Sequence, residues 1–340
     1  MKHIIEEWGQ NIYESALWNF YFGGMRVGVL DIETTGLYPA RNKFILGCLY
    51  DAGRGELHQV LAESRAEEAE ALAEYIRLIE DVDIVVTYNG KRFDMPFIEQ
   101  RRRLTGAWDR PVTVYNLDLF LVLKGYSPIR QLVPNMKQKT IENDMGLWNT
   151  RTDEITGAES VDLYNHYEAT GDREAERKIL LHNNDDVRQL TKLTKAVIKS
   201  DFHRAMNGLG FPVKAGGNAA EGTGEESLLL IESITLRKDT LTYGGQYSGP
   251  GDYIGFEYNG RPVHWEFKDG KFSVNVPVIR QDGLAIIDIE AAGVNAEAFS
   301  DYPGYGSGFI VIADERGNRP REMNRFIQIF TAALADSIQA

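Results

Sequence analysis

Four acidic residues in three separated segments constrain this fold more than any other feature of the sequence. Asp31 and Glu33 lie in the segment Val-Leu-Asp-Ile-Glu-Thr-Thr-Gly. Asp94 lies in Tyr-Asn-Gly-Lys-Arg-Phe-Asp-Met-Pro-Phe, and Asp186 lies in Leu-His-Asn-Asn-Asp-Asp-Val. If the fold brings these carboxylates together, their charges repel one another unless divalent cations neutralise them. The sequence therefore indicates either a metal centre or a set of unrelated surface acids.

Apolar patterning predicts alternating strands and helices over the first 200 residues. Short apolar runs predict strands at 26–32, 44–50, 56–61, 83–88 and 112–115. Apolar residues spaced three and four apart predict helices at 65–80, from Pro96 onward, and from about 173 to 199. This alternation is typical of an α/β fold with crossover connections.

The pattern changes in the last third of the chain. Residues 207–226 are rich in glycine and have no apolar period, which is typical of a linker. Asn-Gly and Asp-Gly pairs then predict an antiparallel meander with strands near 253–258, 262–268, 271–280 and 284–290. A fifth strand at 309–312 and a C-terminal amphipathic helix complete a smaller α+β unit, and the glycines between 244 and 251 predict a turn.

The predicted fold class is therefore a mixed α/β sheet flanked by helices, followed by a smaller α+β domain. The predicted parts are an N-terminal helical extension at 1–24, an α/β domain at 25–200, a glycine-rich linker at 201–226 and an accessory domain at 227–340.

Net charge, cysteine content and apolar runs indicate how this protein could bind nucleic acid and in which compartment it is expected. A net charge of −13 argues against a protein that holds nucleic acid through a broad basic surface. Bound cations can supply positive charge locally, so an acidic metalloenzyme that acts on phosphates fits this charge. The single cysteine, Cys48, excludes an internal disulfide framework and lies in an apolar run that predicts a buried strand. No apolar run approaches the roughly 20 residues of a membrane span. Since the N-terminus also lacks a signal-peptide pattern, we expect a cytoplasmic protein.

The spacing of the first three acidic residues suits metal ligation. Asp31 and Glu33 are two apart on a predicted strand, so both side chains leave the same face. Asp94 precedes Met-Pro at a helix start, where capping and a metal or phosphate contact are compatible roles. Oxygen ligands favour Mg²⁺ or Mn²⁺, and a pair of such ions is a common means of cutting phosphodiesters. These residues predict a metal-dependent nuclease.

The third segment adds a histidine beside the carboxylate. His182 and Asp186 are four apart on a predicted helix and share one face, whereas Asp185 is expected at the surface. Because imidazole titrates near 6.5, His182 could orient or deprotonate the attacking water at neutral pH. The alternative is a helix histidine that packs beside the metals without a catalytic role.

Three motifs in order resemble a known family. Asp-x-Glu, Tyr-Asn-x-x-x-Phe-Asp-x-Pro-Phe and the helix that carries Asp186 resemble the motifs of the DEDD 3′–5′ exonucleases of the ribonuclease H-like superfamily. The stretches 139–147, 162–167 and 178–187 are similar to the bacterial YprB-type predicted exonucleases. The second motif also resembles the proofreading domain of B-family DNA polymerases. The resemblance covers roughly residues 24–198.

The resemblance implies a ribonuclease H-like fold with two divalent cations, Mg²⁺ or Mn²⁺, and single-stranded DNA or RNA 3′ ends as substrate. The implied metal ligands are Asp31, Glu33, Asp94 and Asp186, with Asp31 bridging both ions. The implied substrate-binding residues are Thr34, Thr35, Gly36, Leu37, Asn89 and Phe93. His182 departs from the family pattern, because it stands at the spacing of the tyrosine class rather than that of the histidine class.

Two alternatives stay open at this point. A structure-selective endonuclease could use the same scaffold, and a circular single strand would distinguish it because an exonuclease needs an end. A catalytically silent protein could instead act as a nucleic-acid or protein-binding scaffold. Residues 201–340 carry 12 basic and 19 acidic side chains, which is compatible with a protein partner for the second domain.

Overall fold

The chain divides into two compact units, Met1–Ser200 and Asp201–Ala340. The computed structural model describes residues 1–9, 11–147, 151–152, 155–216, 227–249 and 251–339. Within these ranges, none of the helices combines the length and the apolar character that a membrane crossing requires.

A six-stranded mixed sheet forms the centre of the first unit. Its strands are β1 (Lys2–Glu7), β2 (Val27–Thr34), β3 (Phe44–Asp51), β4 (Glu56–Leu61), β5 (Ile84–Thr87) and β6 (Tyr115–Asp118). Their order across the sheet is β1-β4-β3-β2-β5-β6. The pairs from β1 to β2 are antiparallel, and β2, β5 and β6 are parallel to one another. This confirms the predicted mixed α/β sheet, although the last strand lies three residues later than the apolar run at 112–115 suggested.

Helices cover both faces of this sheet. They are α1 (Ala16–Phe22), α2 (Glu68–Glu80), α3 (Asp94–Thr105), α4 (Leu119–Tyr126), α5 (Ile129–Leu132), α6 (Gln138–Asp144), α7 (Gly157–Thr170) and α8 (Arg173–Leu193). The α2 and α3 side chains share a buried core with Leu30 and Ile32 of β2. The α7 and α8 side chains share a second buried core with Ile45 and Leu46 of β3. Side chains alternate along a strand, so the residues of β2 between and beyond Leu30 and Ile32 face the α7–α8 side.

Tyr75 of α2 packs against the middle of the sheet on the α2–α3 face. Its ring lies against Gly47, where an added Cβ would approach the ring carbons to 2.6 Å. Its hydroxyl donates to the carbonyl oxygens of Cys48 at 2.8 Å and Asp31 at 3.2 Å. Cys48 itself is buried, as predicted. The backbone that carries Asp31 is therefore braced from the opposite face.

The N-terminal residues differ from the predicted helical extension. Lys2–Glu7 form a strand that pairs with β4 in register Lys2↔Leu61 to Glu7↔Glu56, and the helix is confined to Ala16–Phe22. The physical reason is long-range, because β4 would otherwise present a row of unpaired backbone groups at the sheet edge. That requirement is invisible in the local pattern of the first seven residues.

The second unit is α+β, as predicted, but its strands fall into two sheets. One has the order β10-β11-β12-β9-β8-β7 and the other β13-β14-β15-β16. The strands are β7 (Phe211–Ala215), β8 (Ser227–Arg237), β9 (Thr240–Tyr247), β10 (Tyr253–Tyr258), β11 (Arg261–Lys268), β12 (Lys271–Pro277), β13 (Ile279–Gln281), β14 (Leu284–Asp288), β15 (Phe309–Asp314) and β16 (Gly317–Asn318). The helices are α9 (Phe202–Leu209) and α10 (Pro320–Gln339).

Two expectations for this unit were wrong. The predicted strand at 271–280 is divided into β12 and β13, so the fourth strand of the predicted meander, β14, belongs to the second sheet. The predicted turn contains Gly244 and Gly245, which lie inside β9. A Cβ on Gly245 would approach the Leu230 carbonyl oxygen to 1.8 Å, so this glycine marks a close approach of two strands rather than a turn.

Part of the predicted linker has regular secondary structure. Residues Phe202–Leu209 and Phe211–Ala215 form a helix and a strand within the range 201–226. The glycine-rich positions 217–226 lie outside the described residues.

Candidate metal centre and active site

The end of β2 presents two carboxylates to α8. Leu30 and Ile32 face the α2–α3 core, so Asp31 and Glu33 face the opposite side, where α8 packs across β2 and β3. Glu33, the second-last residue of β2, is only 7% exposed although its side chain is ionisable. A buried carboxylate at a strand end is costly without compensating charge, which marks this position as a candidate site.

Glu33, His182 and Asp186 offer ligand atoms that lie within 4.8 Å of one another. His182 Nε2 is 3.6 Å from Glu33 Oε1 and 3.7 Å from Asp186 Oδ2. Burial raises the pKa of Glu33 from 4.5 to about 7, the nearby imidazole of His182 opposes that rise, and the charge of Asp186 adds to it. The sequence placed His182 beside the metal ligands, and the structure makes its nitrogen one of the three closely spaced donors.

Asp31 lies next to this trio and is held by the same helix. Asn183 Nδ2 donates to Asp31 Oδ2 at 2.8 Å. Burial raises the pKa of Asp31 well above its usual range, and the charges of Asp186, Asp94 and Glu33 raise it further. The carboxylates from the three sequence segments are therefore close enough to repel one another.

Asp94 reaches the same place from the start of α3. The chain turns through Asn89, which has a positive φ of 69°, and Asp118 accepts the backbone N–H groups of Asn89 at 2.9 Å and Lys91 at 3.1 Å. Helix α3 begins at Asp94 itself, two residues before the predicted start at Pro96. Burial raises the pKa of Asp94 to about 7, while the backbone N–H of Ile32 favours its ionised form. Asp94 thus contacts β2 between the other two acidic positions.

The donor set fits a divalent cation. It contains carboxylate oxygens from three elements and one imidazole nitrogen, and oxygen-rich sets of this kind suit Mg²⁺ or Mn²⁺. Their mutual repulsion is the electrostatic stress that a cation would relieve, so the residues present are compatible with a metal centre.

A cavity of about 820 Å³ opens over these carboxylates. It is lined by Asp31, Ile32, Glu33, Thr34, Thr35, Gly36, Leu37, Phe93, Lys137, Gln138, Lys139, Thr156, Gly157, Ala158, Val161, Asp162, His182 and Asp186. The predicted substrate residues from Thr34 to Leu37 and Phe93 are in this lining, and Leu37 is 72% exposed. Asn89 and Asp94 are not among the described residues that line this cavity, and Asp94 is 5% exposed.

The loop that carries Leu37 is braced on both sides. Thr35 Oγ1 accepts the Lys43 N–H at 2.9 Å, and Arg101 donates to the Pro39 carbonyl oxygen at 2.9 Å. Arg101 is itself held by the buried Glu68 through two bonds of 2.6 and 2.7 Å. This loop therefore holds its exposed apolar side chain on a supported backbone.

The sequence did not single out four polar residues that lie near these carboxylates. Lys137 and Lys139, at the start of α6, line the cavity, and a basic pair in an acidic chain was the available signal. Asn183 interrupts an apolar stripe, which was also visible in the sequence. Arg151 is 3% exposed and donates to Asp186 Oδ1 at 2.5 Å and to Glu142. No local pattern announces the role of Arg151, since its partners are 9 and 35 residues away.

One neighbouring residue was assigned to the wrong environment. Asp185 was expected at the surface, but it is 4% exposed. Its carboxylate accepts bonds from the backbone N–H and the hydroxyl of Thr152, at 2.5 and 2.8 Å. Thr152, which is 33 residues away in sequence, therefore contacts α8 at this position, and the helical period alone does not reveal such a contact.

Comparison with known proteins identifies one family, and two of the solved structures that resemble this chain are a polymerase and an exonuclease. A family B DNA polymerase from the archaeon Pyrobaculum calidifontis is similar over 51% of this chain and 24% of the polymerase, with 18% identity and a TM-score of 0.41. E. coli Exonuclease I, in complex with a dT13 oligonucleotide, is similar over 64% of this chain and 54% of the exonuclease, with 14% identity and a TM-score of 0.34. The chain thus spans about a quarter of the first protein and about half of the second.

Among curated proteins, no sequence matches this chain significantly. A family model, RNase_H_2 of the RNase_H superfamily, matches residues 29–198. That range is half of the 340 residues and contains Asp31, Glu33, Asp94 and Asp186. The chain therefore belongs to the RNase H superfamily.

Proposed function

We propose that this protein is a two-metal-ion 3′–5′ exonuclease of the DEDD group, similar to the YprB-type enzymes. Its substrate is a single-stranded DNA or RNA end, and its products are nucleoside 5′-monophosphates. The observation that carries the proposal is the convergence of acidic side chains from three elements. Asp31, Glu33 and Asp186 line one cavity. Asp94, at the start of α3, lies close enough to raise the pKa of Asp31.

The chain's own residues have separate tasks in this reaction. Asp31, Glu33, Asp94 and Asp186 would hold two divalent cations, Mg²⁺ or Mn²⁺. Such cations supply Lewis-acid stabilisation of the charge that develops on the attacking and leaving oxygens of an in-line displacement. His182, which lies between Glu33 and Asp186, orients the attacking water and accepts its proton.

The cavity supplies contacts for a nucleic-acid end. Leu37 and Phe93 offer apolar surface for bases, and the loop from Thr34 to Gly36 offers backbone groups near the carboxylates. Lys137 and Lys139 line the same cavity and provide positive charge for backbone phosphates. In a chain with a net charge of −13, this local basic pair accounts for substrate contact without a broad basic surface.

A product ladder tests the proposal directly. End-labelled DNA and RNA oligonucleotides are incubated with the purified protein in Mn²⁺, and in chelator as a control. We expect stepwise shortening from the 3′ end in Mn²⁺ and none in chelator. Cleavage of a circular single strand would identify an endonuclease instead. If neither the linear nor the circular substrates were cut in Mn²⁺, the protein would be a catalytically silent binding protein instead.

A further inference from the structure

Helix α8 buries one polar residue in the row of side chains that faces the sheet. Ile179 and Val187 are buried apolar residues on this row, and Asn183 stands four residues from each of them. Residues four apart share one face of a helix, so this position would ordinarily be apolar. Asn183 is 0% exposed, although asparagine is a poor helix former and a costly residue to bury.

The contact made by Asn183 explains its position. Its Nδ2 donates to Asp31 Oδ2 at 2.8 Å across the interface between α8 and β2. A carboxylate can accept only from the NH₂ group of an amide, so this contact turns Asn183 Oδ1 away from Asp31. That oxygen is buried and has no hydrogen-bond partner among the described residues. The buried, unpartnered oxygen of Asn183 therefore costs stability, and the hydrogen bond to Asp31 is what the side chain gains.

We propose that Asn183 is a positioning residue that fixes the Asp31 carboxylate for metal binding. Because the two oxygens of a carboxylate are rigidly joined, fixing Oδ2 also fixes the direction in which Oδ1 points. Hydrogen-bond partners behind a metal ligand hold its orientation, and their loss typically weakens metal affinity or activity about 10–100-fold. This inference rests on the proposed function, since it requires Asp31 to bind a cation.

The decisive variant is Asn183→Leu, which keeps the branched shape but removes both the donor and the unpartnered oxygen. Thermal unfolding is followed across a Mn²⁺ titration, and exonuclease activity is measured in parallel. In chelator, we expect the variant to remain folded, because the added apolar burial of leucine offsets the loss of the hydrogen bond to Asp31. We expect the Mn²⁺ concentration for half of the thermal shift to rise about 10–100-fold, with a comparable loss of activity.

Two further variants separate positioning from a structural role. Asn184→Leu changes the neighbouring amide, which donates to Glu6 instead, and we expect it to keep the wild-type Mn²⁺ dependence. In an Asp31→Asn background, Asn183→Leu should weaken Mn²⁺ binding no further, because a residue that acts through Asp31 has nothing left to position. Asn183→Ala removes the same donor and replaces the leucine variant if that one does not fold.

The outcomes distinguish this inference from the proposed function. Wild-type Mn²⁺ dependence in Asn183→Leu, with an active wild-type enzyme, would overturn the role of Asn183 and leave the nuclease intact. A wild-type protein that binds Mn²⁺ but cuts nothing would overturn the nuclease, while the change in Mn²⁺ affinity would still decide the role of Asn183. A wild-type protein with no Mn²⁺ shift would overturn the inference as well, since Asp31 would then hold no cation.

Discussion

Replacing Glu33 by glutamine should stabilise the metal-free protein at alkaline pH. The pKa of Glu33 rises from 4.5 to about 7 in the folded protein, which corresponds to on the order of 3 kcal/mol. A raised pKa means that the folded state holds the proton more tightly than the unfolded state. The stability linked to this proton is therefore fully present below about pH 4.5 and is lost as the pH rises to about 7. Glu33→Gln mimics the protonated form at every pH and escapes this loss.

The measurement is thermal unfolding in chelator at pH 5 and pH 8. At pH 8, Glu33→Gln should exceed the wild type by up to on the order of 3 kcal/mol, or roughly 6–12 °C for a unit of 200 residues. At pH 5 the two proteins should differ much less. Adding Mn²⁺ at pH 8 should raise the melting temperature of the wild type and have little effect on the variant.

Glu70→Gln is the matched control, because Glu70 is an exposed carboxylate on α2. It should show neither the pH-dependent gain nor the altered Mn²⁺ response. If Glu33→Gln were less stable than the wild type at pH 8, or if its advantage were the same at both pH values, the electrostatic reading of the site would be wrong.

Three further predictions concern the reaction. Asp31→Asn should reduce hydrolysis to below about one hundredth of wild type in Mg²⁺ or Mn²⁺ while its circular dichroism spectrum is unchanged. Activity of the variant above that level in Mn²⁺ would contradict the role of Asp31. His182→Phe should lower turnover by roughly 10²–10⁴-fold and remove the acidic limb of the pH–rate profile, whereas an unchanged profile would exclude proton transfer by this residue. Lys137→Gln and Lys139→Gln should each reduce the salt dependence of oligonucleotide binding in Ca²⁺ by about 0.7 in the log–log slope. Lys195→Gln, on an exposed position away from the cavity, should leave that slope unchanged, and an equal effect would show that only overall charge matters.

Local sequence patterns determined most of the first unit. The apolar runs at 44–50 and 56–61 became β3 and β4 almost to the residue. The two-residue spacing of Asp31 and Glu33 placed both on one face of β2, because strand side chains alternate. The helical spacing of His182 and Asp186 likewise put both on one face of α8. In each case the relevant period spans only a few neighbouring residues, so it can be read without knowing the rest of the fold.

Other features depended on partners far away in sequence. β1 is a strand because the edge of β4 accepts it, and Asp185 is buried because Thr152 covers it. Gly245 lies in β9, which pairs with β8 and β12, and the Leu230 carbonyl oxygen leaves no room there for a Cβ. The sequence contained each of these residues but not the contact that gives it its role.

The candidate site shows the same division. Its acidic residues and their local faces were evident from the sequence, as was the resemblance of three segments to a known set of motifs. The tertiary structure alone brought Asp94 against the backbone of β2, joined Asn183 to Asp31, and placed Lys137 and Lys139 in the wall of the cavity. The physical reason is that backbone periodicity is set by covalent neighbours, whereas the approach of carboxylates separated by up to 155 residues is set by how the sheet and helices pack.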